Sequence, residues 1–289
     1  MSIHHLALIG CGLIGGSVAM ALRRAGAVRH ISGYSLSAHS VAKALELGVI
    51  DEACSTLAQA VAKADCIILA VPVAATQSVL QAIEPYLASH TLITDVGSTK
   101  RNVVQAGEQS LGSRIVQFVP AHPIAGKELA GIEHACADLF DGKHTILTPL
   151  PHTPPSTIEQ IRKLWELTGS VVHELSPAEH DRTFAAVSHL PHLLAFAYMN
   201  GLQKQSSCAD FMAMAGSGFR DFSRIAASDP TIWRDIFMGN ADEINQQLAH
   251  FSQALETLRS ALQQGAAHTL ENSIQMASDL RSAWSPSSQ

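Results

Sequence analysis

One histidine stands where it could act as a general base. His122 lies in the segment PAHPIAGKE, residues 120–128, after an apolar stretch typical of a β-strand. An imidazole titrates near neutral pH, which suits it to take a proton from a hydroxyl group. Pro123 restricts the preceding backbone to extended conformations and so helps to aim the ring. These features make His122 the candidate catalytic base.

A second group of polar residues follows another apolar stretch. The segment DVGSTK, residues 95–100, places a carboxylate, a glycine, a hydroxyl and a cation close together. Taken singly, Asp95 could cap a turn, Gly97 could form one and Ser98 could start a helix. Combined with a nucleotide-binding motif elsewhere in the chain, they indicate an active site. Ser98 is therefore the second candidate catalytic residue.

The nucleotide-binding motif is the segment GCGLIG that begins at Gly10. It follows an apolar strand and opens a helical pattern, the context that separates a dinucleotide fingerprint from chance glycines. Gly10 permits a tight turn, Gly12 leaves room for a pyrophosphate, and Gly15 lets the helix pack closely on the strand. The first helical N–H groups, around Leu13 and Ile14, would face the phosphates. These five residues form the predicted cofactor-binding loop.

Cofactor preference depends on the residue that ends the next strand, where a carboxylate would bind the ribose hydroxyl of NAD. Ser35 occupies this position. Serine lacks the charge that would repel the 2′-phosphate of NADP, but no arginine follows directly to bind that phosphate. NAD and NADP therefore both stay open as the cofactor. Val71 and Pro72, at the end of a later strand, are expected beside the nicotinamide half.

The elements that must position these residues follow a simple pattern, since the first half of the chain alternates apolar runs with helical stretches, as βα units do. The pattern predicts strands at 5–10, 30–34, 66–70, 92–95, 116–119, 145–147 and 171–174, and helices at 18–24, 76–87, 129–139 and 158–168. The expected fold class is α/β, a Rossmann-type doubly wound, mainly parallel sheet followed by an all-helical C-terminal domain. We expect residues 1–174 to bind a dinucleotide, and residues 175–289 to bind substrate and to form a dimer.

Beyond the last predicted strand the sequence is typical of helices. The segment SPAE, residues 176–179, combines a serine N-cap, a proline at the first helical position and a glutamate at the third. Pro191 is expected to bend the first long helix, because it lacks an N–H donor and its ring crowds the preceding turn. Such a bend would present Ser188, His189 and His192 to a cavity.

Two further helical stretches are predicted at 231–263 and 267–284, and the first carries an apolar stripe at helical spacing. The stripe consists of Ile236, Ile244, Leu248, Phe251, Leu255, Leu258 and Leu262. These side chains could pack against a second copy of the chain or inside the same copy. The spacing favours neither arrangement.

Composition excludes several classes of function. A net charge of −6 without lysine or arginine clusters argues against nucleic-acid and membrane partners. No apolar run approaches the roughly 20 residues that cross a bilayer, and the N-terminus lacks an export signal. The five cysteines are scattered, so they predict no disulfide framework and no zinc site. We expect a cytoplasmic protein with a small-molecule substrate, no metal and a second copy of itself as partner, without room for a further fused domain.

Five segments resemble, in the same order, the motifs of the prephenate/arogenate dehydrogenase family. They are GCGLIGGS at 10–17, DVGSTK at 95–100, HPIAGKE at 122–128, SHLPH at 188–192 and GFRDFSR at 218–224. Each is weak alone, but five in order over nearly the whole chain are specific. The resemblance implies an NAD- or NADP-dependent oxidative decarboxylation in tyrosine biosynthesis. The substrate would be prephenate, giving 4-hydroxyphenylpyruvate, or arogenate, giving tyrosine.

The resemblance also implies roles for single residues. His122 matches the family's catalytic histidine, which accepts the proton of the ring hydroxyl, and Ser98 matches the serine that orients this hydroxyl. Arg224 matches an arginine that binds a substrate carboxylate, a role that its planar guanidinium suits. His189 and His192 match histidines of the substrate pocket. Without the resemblance, Arg224 would be interpreted as a surface ion-pair residue and His192 as a core histidine.

At other positions of the motifs the role is less defined, or the residue differs from the one that relatives carry. Asp221 and Glu128 are implied members of an ionic network around Arg224, although Asp221 alone would be interpreted as a turn residue. Ser35 stands where many relatives carry an NAD-selecting aspartate. Lys127 stands where some relatives have a small hydroxylated residue, so it is either an additional binder of a substrate carboxylate or a solvated charge.

Other functions stay open. A β-hydroxyacid-type dehydrogenase would place a catalytic lysine on the first long C-terminal helix, where Lys204 lies only near the far end. A catalytically silent NAD(P)-binding sensor would need the glycine loop but not the base. Arogenate differs from prephenate by an ammonium group, which Glu128 or Asp221 could bind. If both carboxylates already pair with Arg224 or Lys127, prephenate is favoured.

Overall fold

The computed structural model describes residues 2–127 and 129–284, and its first half is a parallel sheet with helices on both faces. The elements are β1 Ile3–Ile9, α1 Leu13–Arg24, β2 Val28–Tyr34, α2 Ala38–Glu46, β3 Glu52–Ala53, α3 Leu57–Val61, β4 Cys66–Leu69, α4 Thr76–Ile83, β5 Leu92–Asp95 and α5 Arg101–Ser110. The strand order is β3-β2-β1-β4-β5, and every neighbouring pair is parallel. The order reverses between β1 and β4, where open α/β sheets form a ligand crevice. This arrangement confirms the expected Rossmann-type fold.

A second, three-stranded sheet continues the first. It contains β6 Ala121–Pro123, β7 His144–Leu147 and β8 Val171–Glu174, with helix α6 Pro155–Leu167 between the last two strands. β6 is antiparallel to β7, and β7 is parallel to β8. The backbone bridges from Phe118 to Ile93 of β5, and Val119 N–H donates to the Ile93 carbonyl at 3.0 Å. This bridge brings His122 of β6 towards the carboxyl end of β5.

The central strand β1 is buried on both faces. Leu6 and Leu8 pack in a cluster that includes Trp165 of α6, whereas Ala7 and Ile9 pack in a second cluster with the helices of the opposite face. Because successive side chains point to opposite faces of a strand, the unbroken apolar run of β1 contributes side chains to the apolar clusters on both faces of the sheet.

Two predicted elements are wrong. The strand predicted at 116–119 is absent: its first two residues lie in a 3-10 stretch, Gly112–Gln117, and only an isolated bridge forms at Phe118. The helix predicted at 129–139 is reduced to a single 3-10 turn, Ile132–His134, preceded by Gly131 at a φ of 110°. Ile132 packs closely over Gly16 of α1. The apolar spacing there reflects burial against a neighbouring helix, not helical structure of the segment itself.

The second half of the chain is helical, as expected. Its helices are α7 Pro177–Phe184, α8 Leu190–Gln203, α9 Cys208–Ala213, α10 Ser217–Ser223, α11 Pro230–Gly239, α12 Ala241–Gln264 and α13 Ala267–Ala283. The predicted start at Ser176 is confirmed, since its hydroxyl accepts from Glu179 N–H and the Glu179 carboxylate accepts from Ser176 N–H. A π-helical turn, Ala185–His189, joins α7 to α8 and places Pro191 in the first turn of α8.

The two C-terminal helices differ from their predictions in one respect. The stretch predicted as one helix over 231–263 is divided at Asn240, which separates α11 from α12. The apolar stripe is divided as well, because Ile236 and Ile244 are buried whereas Leu255 and Leu262 are exposed. Within the described part of the chain, no helix is long and apolar enough to cross a membrane.

Candidate active site

His122 is the first member of a buried chain of three side chains. Its Nδ1 lies 2.8 Å from Nε2 of His180, and Nδ1 of His180 lies 2.8 Å from Oδ1 of Asp181. His122 comes from β6, whereas the other two residues lie on α7. His122 is 9% exposed and the other two residues are 0% exposed. The chain, called the relay below, therefore joins the two halves of the protein through its interior.

The chemistry of the three groups determines where the protons of the relay lie. An ionised carboxylate can only accept, so His180 donates from Nδ1 to Asp181 and its Nε2 is left as an acceptor. His122 must then donate from Nδ1, which leaves the lone pair on its Nε2. In the part of the chain that the structure describes, no hydrogen bond engages this Nε2. His122 is thereby prepared to accept a proton from a bound molecule.

The surroundings of His122 keep its ring neutral. Burial lowers its pKa well below 6.5, and the nearby His180, Lys100 and His189 lower it further. The Phe184 ring packs against both imidazoles of the relay, with centroids 4.9 Å from His122 and 4.5 Å from His180. A neutral imidazole is the form that can act as a base.

Asp181 also caps a helix of the other half. Helix α5 has no side-chain cap from its own segment, and Asp181 accepts the backbone N–H groups of Lys100 at 2.8 Å and Arg101 at 2.9 Å. Burial opposes ionisation of this carboxyl group, but the hydrogen bonds from His180 and from the two N–H groups hold its pKa below the usual value. The same carboxylate thus orients the relay and binds the two halves together.

His189 lies beside the relay. Its Nδ1 lies 3.1 Å from Nδ2 of Asn240, and that amide also donates to the Asp181 carbonyl at 2.7 Å. The Asn240 amide nitrogen can only donate, so Nδ1 of His189 accepts. Burial lowers the pKa of His189 to about 4, although the nearby Asp181 opposes this shift. His189 is therefore neutral at physiological pH.

His192 forms a second, more open polar group. Its Nδ1 donates to the Ser188 carbonyl at 2.9 Å, and its ring stacks on Trp233 with centroids 3.6 Å apart. Burial lowers the pKa of His192, and the positive charge of Arg224 contributes to this shift. Arg224 is exposed and therefore presents its charge near His192 at the surface of the helical half.

A cleft of about 410 Å³ separates the glycine loop from α11. Residues 12–15, 70–73 and 96–98 line the Rossmann side, residues 126–127 and 129–131 line one end, and Ile232, Trp233 and Ile236 of α11 line the opposite side. The lining is mainly apolar with a few polar groups, which is typical of sites that hold small organic molecules.

The glycine loop has the shape of a phosphate cradle. Gly10 has a φ of 104°, and a Cβ atom there would lie 2.1 Å from the Ala70 carbonyl oxygen. A Cβ atom on Gly15 would lie 2.3 Å from the Gly10 carbonyl oxygen, whereas nothing lies within 4 Å of one on Gly12. Helix α1 begins after Gly12, so its first N–H groups face this open space.

His122, His189, His192 and Arg224 are not among the residues that line the cleft, but eight other predicted site residues are. They are Gly12, Leu13, Ile14, Gly15, Val71, Pro72, Ser98 and Lys127. The Nζ atom of Lys127 donates to the His134 carbonyl at 2.9 Å. Ser35 is half-buried just after β2, and Asp221 is exposed with its carboxylate 3.5 Å from Nε of Arg220. Glu128 lies outside the described residues.

Sequence reasoning missed several residues of the site. His180 and Asp181 follow the helix start at Ser176, but nothing in that segment distinguishes them from exposed residues of a first helical turn. Asn240 and Trp233 were assigned to the interior of a long helix. Lys100 was noted only as a cation, although the structure buries it completely. These residues approach one another only through the tertiary fold.

Comparisons with known proteins agree with this architecture. Residues 18–174 match the family model described as prephenate dehydrogenase, nucleotide-binding domain. Residues 176–276 match the model described as prephenate dehydrogenase, dimerization domain. The prephenate dehydrogenase of Bacillus subtilis is 36% identical over 276 residues, which are 95% of this chain and 74% of the relative. The cyclohexadienyl dehydrogenase of Zymomonas mobilis is 38% identical over 89% of this chain and 88% of the relative.

Solved structures show the same similarity. Prephenate dehydrogenase from Aquifex aeolicus, in complex with hydroxyphenyl propionate and NAD+, superposes with a TM-score of 0.91 at 35% identity, covering 97% of this chain and 98% of that chain. Synechocystis arogenate dehydrogenase superposes with a TM-score of 0.81 at 28% identity, covering 96% of this chain and 99% of that chain.

Proposed function

Because the chain belongs to the prephenate dehydrogenase family, we propose that it oxidises and decarboxylates prephenate to 4-hydroxyphenylpyruvate with reduction of NAD or NADP, in tyrosine biosynthesis. One observation carries the proposal: the relay from Asp181 through His180 leaves Nε2 of the 9% exposed His122 without a proton, as a general base requires. A nucleotide-binding protein without catalysis would have no need of this arrangement.

The residues of the glycine loop fit a dinucleotide. The open space over Gly12 leaves room for a pyrophosphate, and the first N–H groups of α1 supply donors to it. Val71, Pro72 and Ser98 line the same cleft and would flank the nicotinamide half. A bound NAD or NADP would supply the acceptor for the hydride that leaves the substrate carbon. Ser35, at the end of β2, brings no charge to the ribose, and so both NAD and NADP are candidates.

In the proposed mechanism His122 removes the proton of the substrate hydroxyl through Nε2 as the hydride leaves the same carbon. His122 then carries a positive charge, which its Nδ1–H shares with His180 and, through it, with the Asp181 carboxylate. Ser98 lines the cleft and would orient the hydroxyl. The carbonyl that forms draws electrons from the bond to the ring carboxylate, carbon dioxide leaves, and the ring becomes aromatic. The proton held by His122 returns to the phenolate oxygen.

Arg224 and the neighbouring His192 are the proposed binders of a substrate carboxylate. Arg224 is close enough to lower the pKa of His192, and a guanidinium binds a carboxylate through two parallel hydrogen bonds. His189 is buried beside the relay and would limit where the ring of the substrate can lie. Lys127, at the end of the cleft, is the proposed additional cation, and Glu128 remains a proposed member of this group.

Arogenate is the second candidate substrate, because the Synechocystis relative is an arogenate dehydrogenase and the Zymomonas relative is a cyclohexadienyl dehydrogenase. A preference for arogenate would need a free carboxylate for its ammonium group. Asp221 already lies 3.5 Å from Nε of Arg220, which makes this carboxylate less available to an ammonium group.

We also propose that the protein acts as a homodimer in which residues 1–174 bind the cofactor and residues 175–289 bind substrate and form the interface. Exposed apolar side chains on α12 and α13, including Leu262, Ile274 and Leu280, would be covered by the second copy. The second family model is described as a dimerization domain, which agrees with this assignment.

The test is the initial rate of nicotinamide reduction in four combinations, prephenate or arogenate with NAD or NADP. Turnover in at least one combination is expected, and the pattern decides both preferences. Absence of turnover in all four, from protein with an intact cooperative unfolding transition, would refute the proposed function.

A further inference from the structure

We propose that Lys100 is a positioning residue for the proposed reaction, since it fixes the backbone that carries His122 and places a buried positive charge behind the relay. The inference rests on the proposed function, in which His122 is the base. Lys100 itself lines no part of the cleft and would act only through its neighbours.

The first argument is the geometry around Ala121, the residue before His122. Nζ of Lys100 donates to the Ala121 carbonyl at 2.7 Å and to Oδ2 of Asp95 at 2.6 Å. Oδ1 of Asp95 accepts the Ala121 N–H at 2.9 Å, and Oδ2 also accepts the Gly97 N–H at 2.8 Å. The Lys100–Asp95 pair therefore holds both polar backbone groups of Ala121. The direction in which His122 leaves the strand is fixed as a result.

The second argument is burial. The Lys100 side chain is 0% exposed and the Asp95 side chain is 3% exposed. Removing two charges from water costs several kcal/mol per ion, and apolar replacements of such pairs are often no less stable. Stability of the fold alone therefore gives little reason for this pair. Its position directly behind a candidate base gives a functional reason.

The third argument is the electrostatic environment of the relay. Lys100 acts on His122 and on His180, and in both cases its positive charge lowers the pKa of the imidazole. Burial is the larger cause at each position. The other titratable groups that act on His122 are His180 and His189, while Asp181 and Asp95 act on His180 in the opposite direction. Removing the charge of Lys100 should therefore raise the pKa of His122.

The experiment compares Lys100→Met, which keeps the length of the side chain without its charge, with Lys63→Met as a matched control. Lys63 is exposed and lies in the same half of the chain. Because Lys100→Met leaves Asp95 buried without its cation, the double variant Asp95→Asn/Lys100→Met removes both charges. For each protein, two quantities are measured: the NMR titration of the His122 Cε1–H signal, assigned from its absence in His122→Asn, and the pH dependence of kcat/KM.

The expected result is an upward shift of the His122 titration by about one pH unit in Lys100→Met, the size expected for a nearby unit charge. The acidic limb of kcat/KM should move by the same amount, and kcat on the plateau should fall at least about tenfold because β6 is no longer held. Lys63→Met should match the wild type. If Lys100→Met does not fold, the double variant must show the same direction of shift.

An unchanged His122 titration in a folded variant would overturn the proposal, even if the rate fell, because the residue would then be only structural. Retention of the wild-type plateau would overturn the positioning role. The NMR titration needs no turnover. If the wild type is inactive with all four combinations while Lys100→Met still shifts the titration, the proposed reaction fails and the action of Lys100 on His122 stands.

Discussion

Replacing Asp181 by asparagine is the sharpest test of the relay. The carboxylate accepts from the Lys100 N–H and from Nδ1 of His180 through Oδ1, and from the Arg101 N–H through Oδ2, at 2.8 to 2.9 Å. Asparagine keeps one acceptor oxygen and presents an NH2 group to a donor. Arg101 donates to the Oδ2 position through both its backbone N–H and its Nε, so we expect the amide oxygen to take that position and the NH2 group to face Nδ1 of His180.

That exchange would reverse every proton position in the relay. His180 would accept at Nδ1 and donate from Nε2, so His122 would have to accept at Nδ1 and carry its proton on Nε2. The candidate base would then hold a proton where it must accept one. In the Ser-His-Asp triad of serine proteases, an unrelated site, a wrong histidine tautomer lowers kcat by roughly four orders of magnitude, so we expect a loss of kcat of about 10³-fold here.

Asp181→Asn should also weaken the fold. Hydrogen bonds to a charged group contribute about 1.5–3 kcal/mol each, and breaking a buried charged network costs about 3–5 kcal/mol. We expect the free energy of unfolding to fall by about 3 kcal/mol, measured by denaturant titration. Cofactor affinity should stay within a few-fold of the wild type, because the glycine loop is not touched.

Asp242→Asn is the matched control. Asp242 also accepts from Arg101, at 2.6 and 2.7 Å, but its side chain is 62% exposed and makes no contact with the relay. Exposed ion pairs contribute about 1 kcal/mol or less, so this variant should keep its kcat and nearly all of its stability. Near-normal kcat in folded Asp181→Asn would refute the role of the relay.

Three further predictions concern the same site. His122→Asn should bind the cofactor normally in a fluorescence titration and lose about 10²- to 10⁴-fold in kcat; near-normal turnover would remove its role as the base. Arg224→Ala should raise KM for the substrate with a smaller change in kcat, because a carboxylate clamp holds substrate and transition state alike; an unchanged KM in steady-state kinetics would contradict it. Because the folded-state pKa of His189, about 4, lies below its usual 6.5, the unfolded chain binds the proton first. The contribution of neutral His189 to the free energy of unfolding is then fully present above pH 6.5 and is lost as the pH drops towards 4, a loss of about 3 kcal/mol. Denaturant titrations of His189→Gln over this pH range should show a smaller fall.

The fold class and the cofactor loop could be predicted because their determinants are local. Gly10, Gly12 and Gly15 lie within six residues at the junction of a strand and a helix, so their spacing predicts the tight turn and the close packing of the helix on the strand. The capping box at Ser176 is local in the same way, and it was confirmed. His122 and Ser98 could be proposed as catalytic residues because each follows an apolar run, and parallel sheets bind ligands at the carboxyl ends of their strands.

Errors arose where burial produced a pattern that resembled secondary structure. Ile132 and Ala135 pack against Gly16 of α1 without forming a helix, because Gly131 adopts a φ of 110° and the chain turns there. The segment at 116–119 begins inside a 3-10 stretch that leads to β6. Periodicity cannot separate these cases, because a neighbouring element imposes the same spacing on irregular backbone.

The sequence by itself determined the Rossmann-type half, the helical half and the chemical types available at the site. Only the tertiary structure decided which of those groups act together. His180 is 58 positions from His122, and Ala121 is 21 positions from the lysine that holds its carbonyl. Hydrogen bonds over such separations leave no periodic trace in the sequence, since they depend on how two halves pack and not on local propensity. The tautomer and the pKa of His122, and thus its fitness as a base, follow from that packing alone.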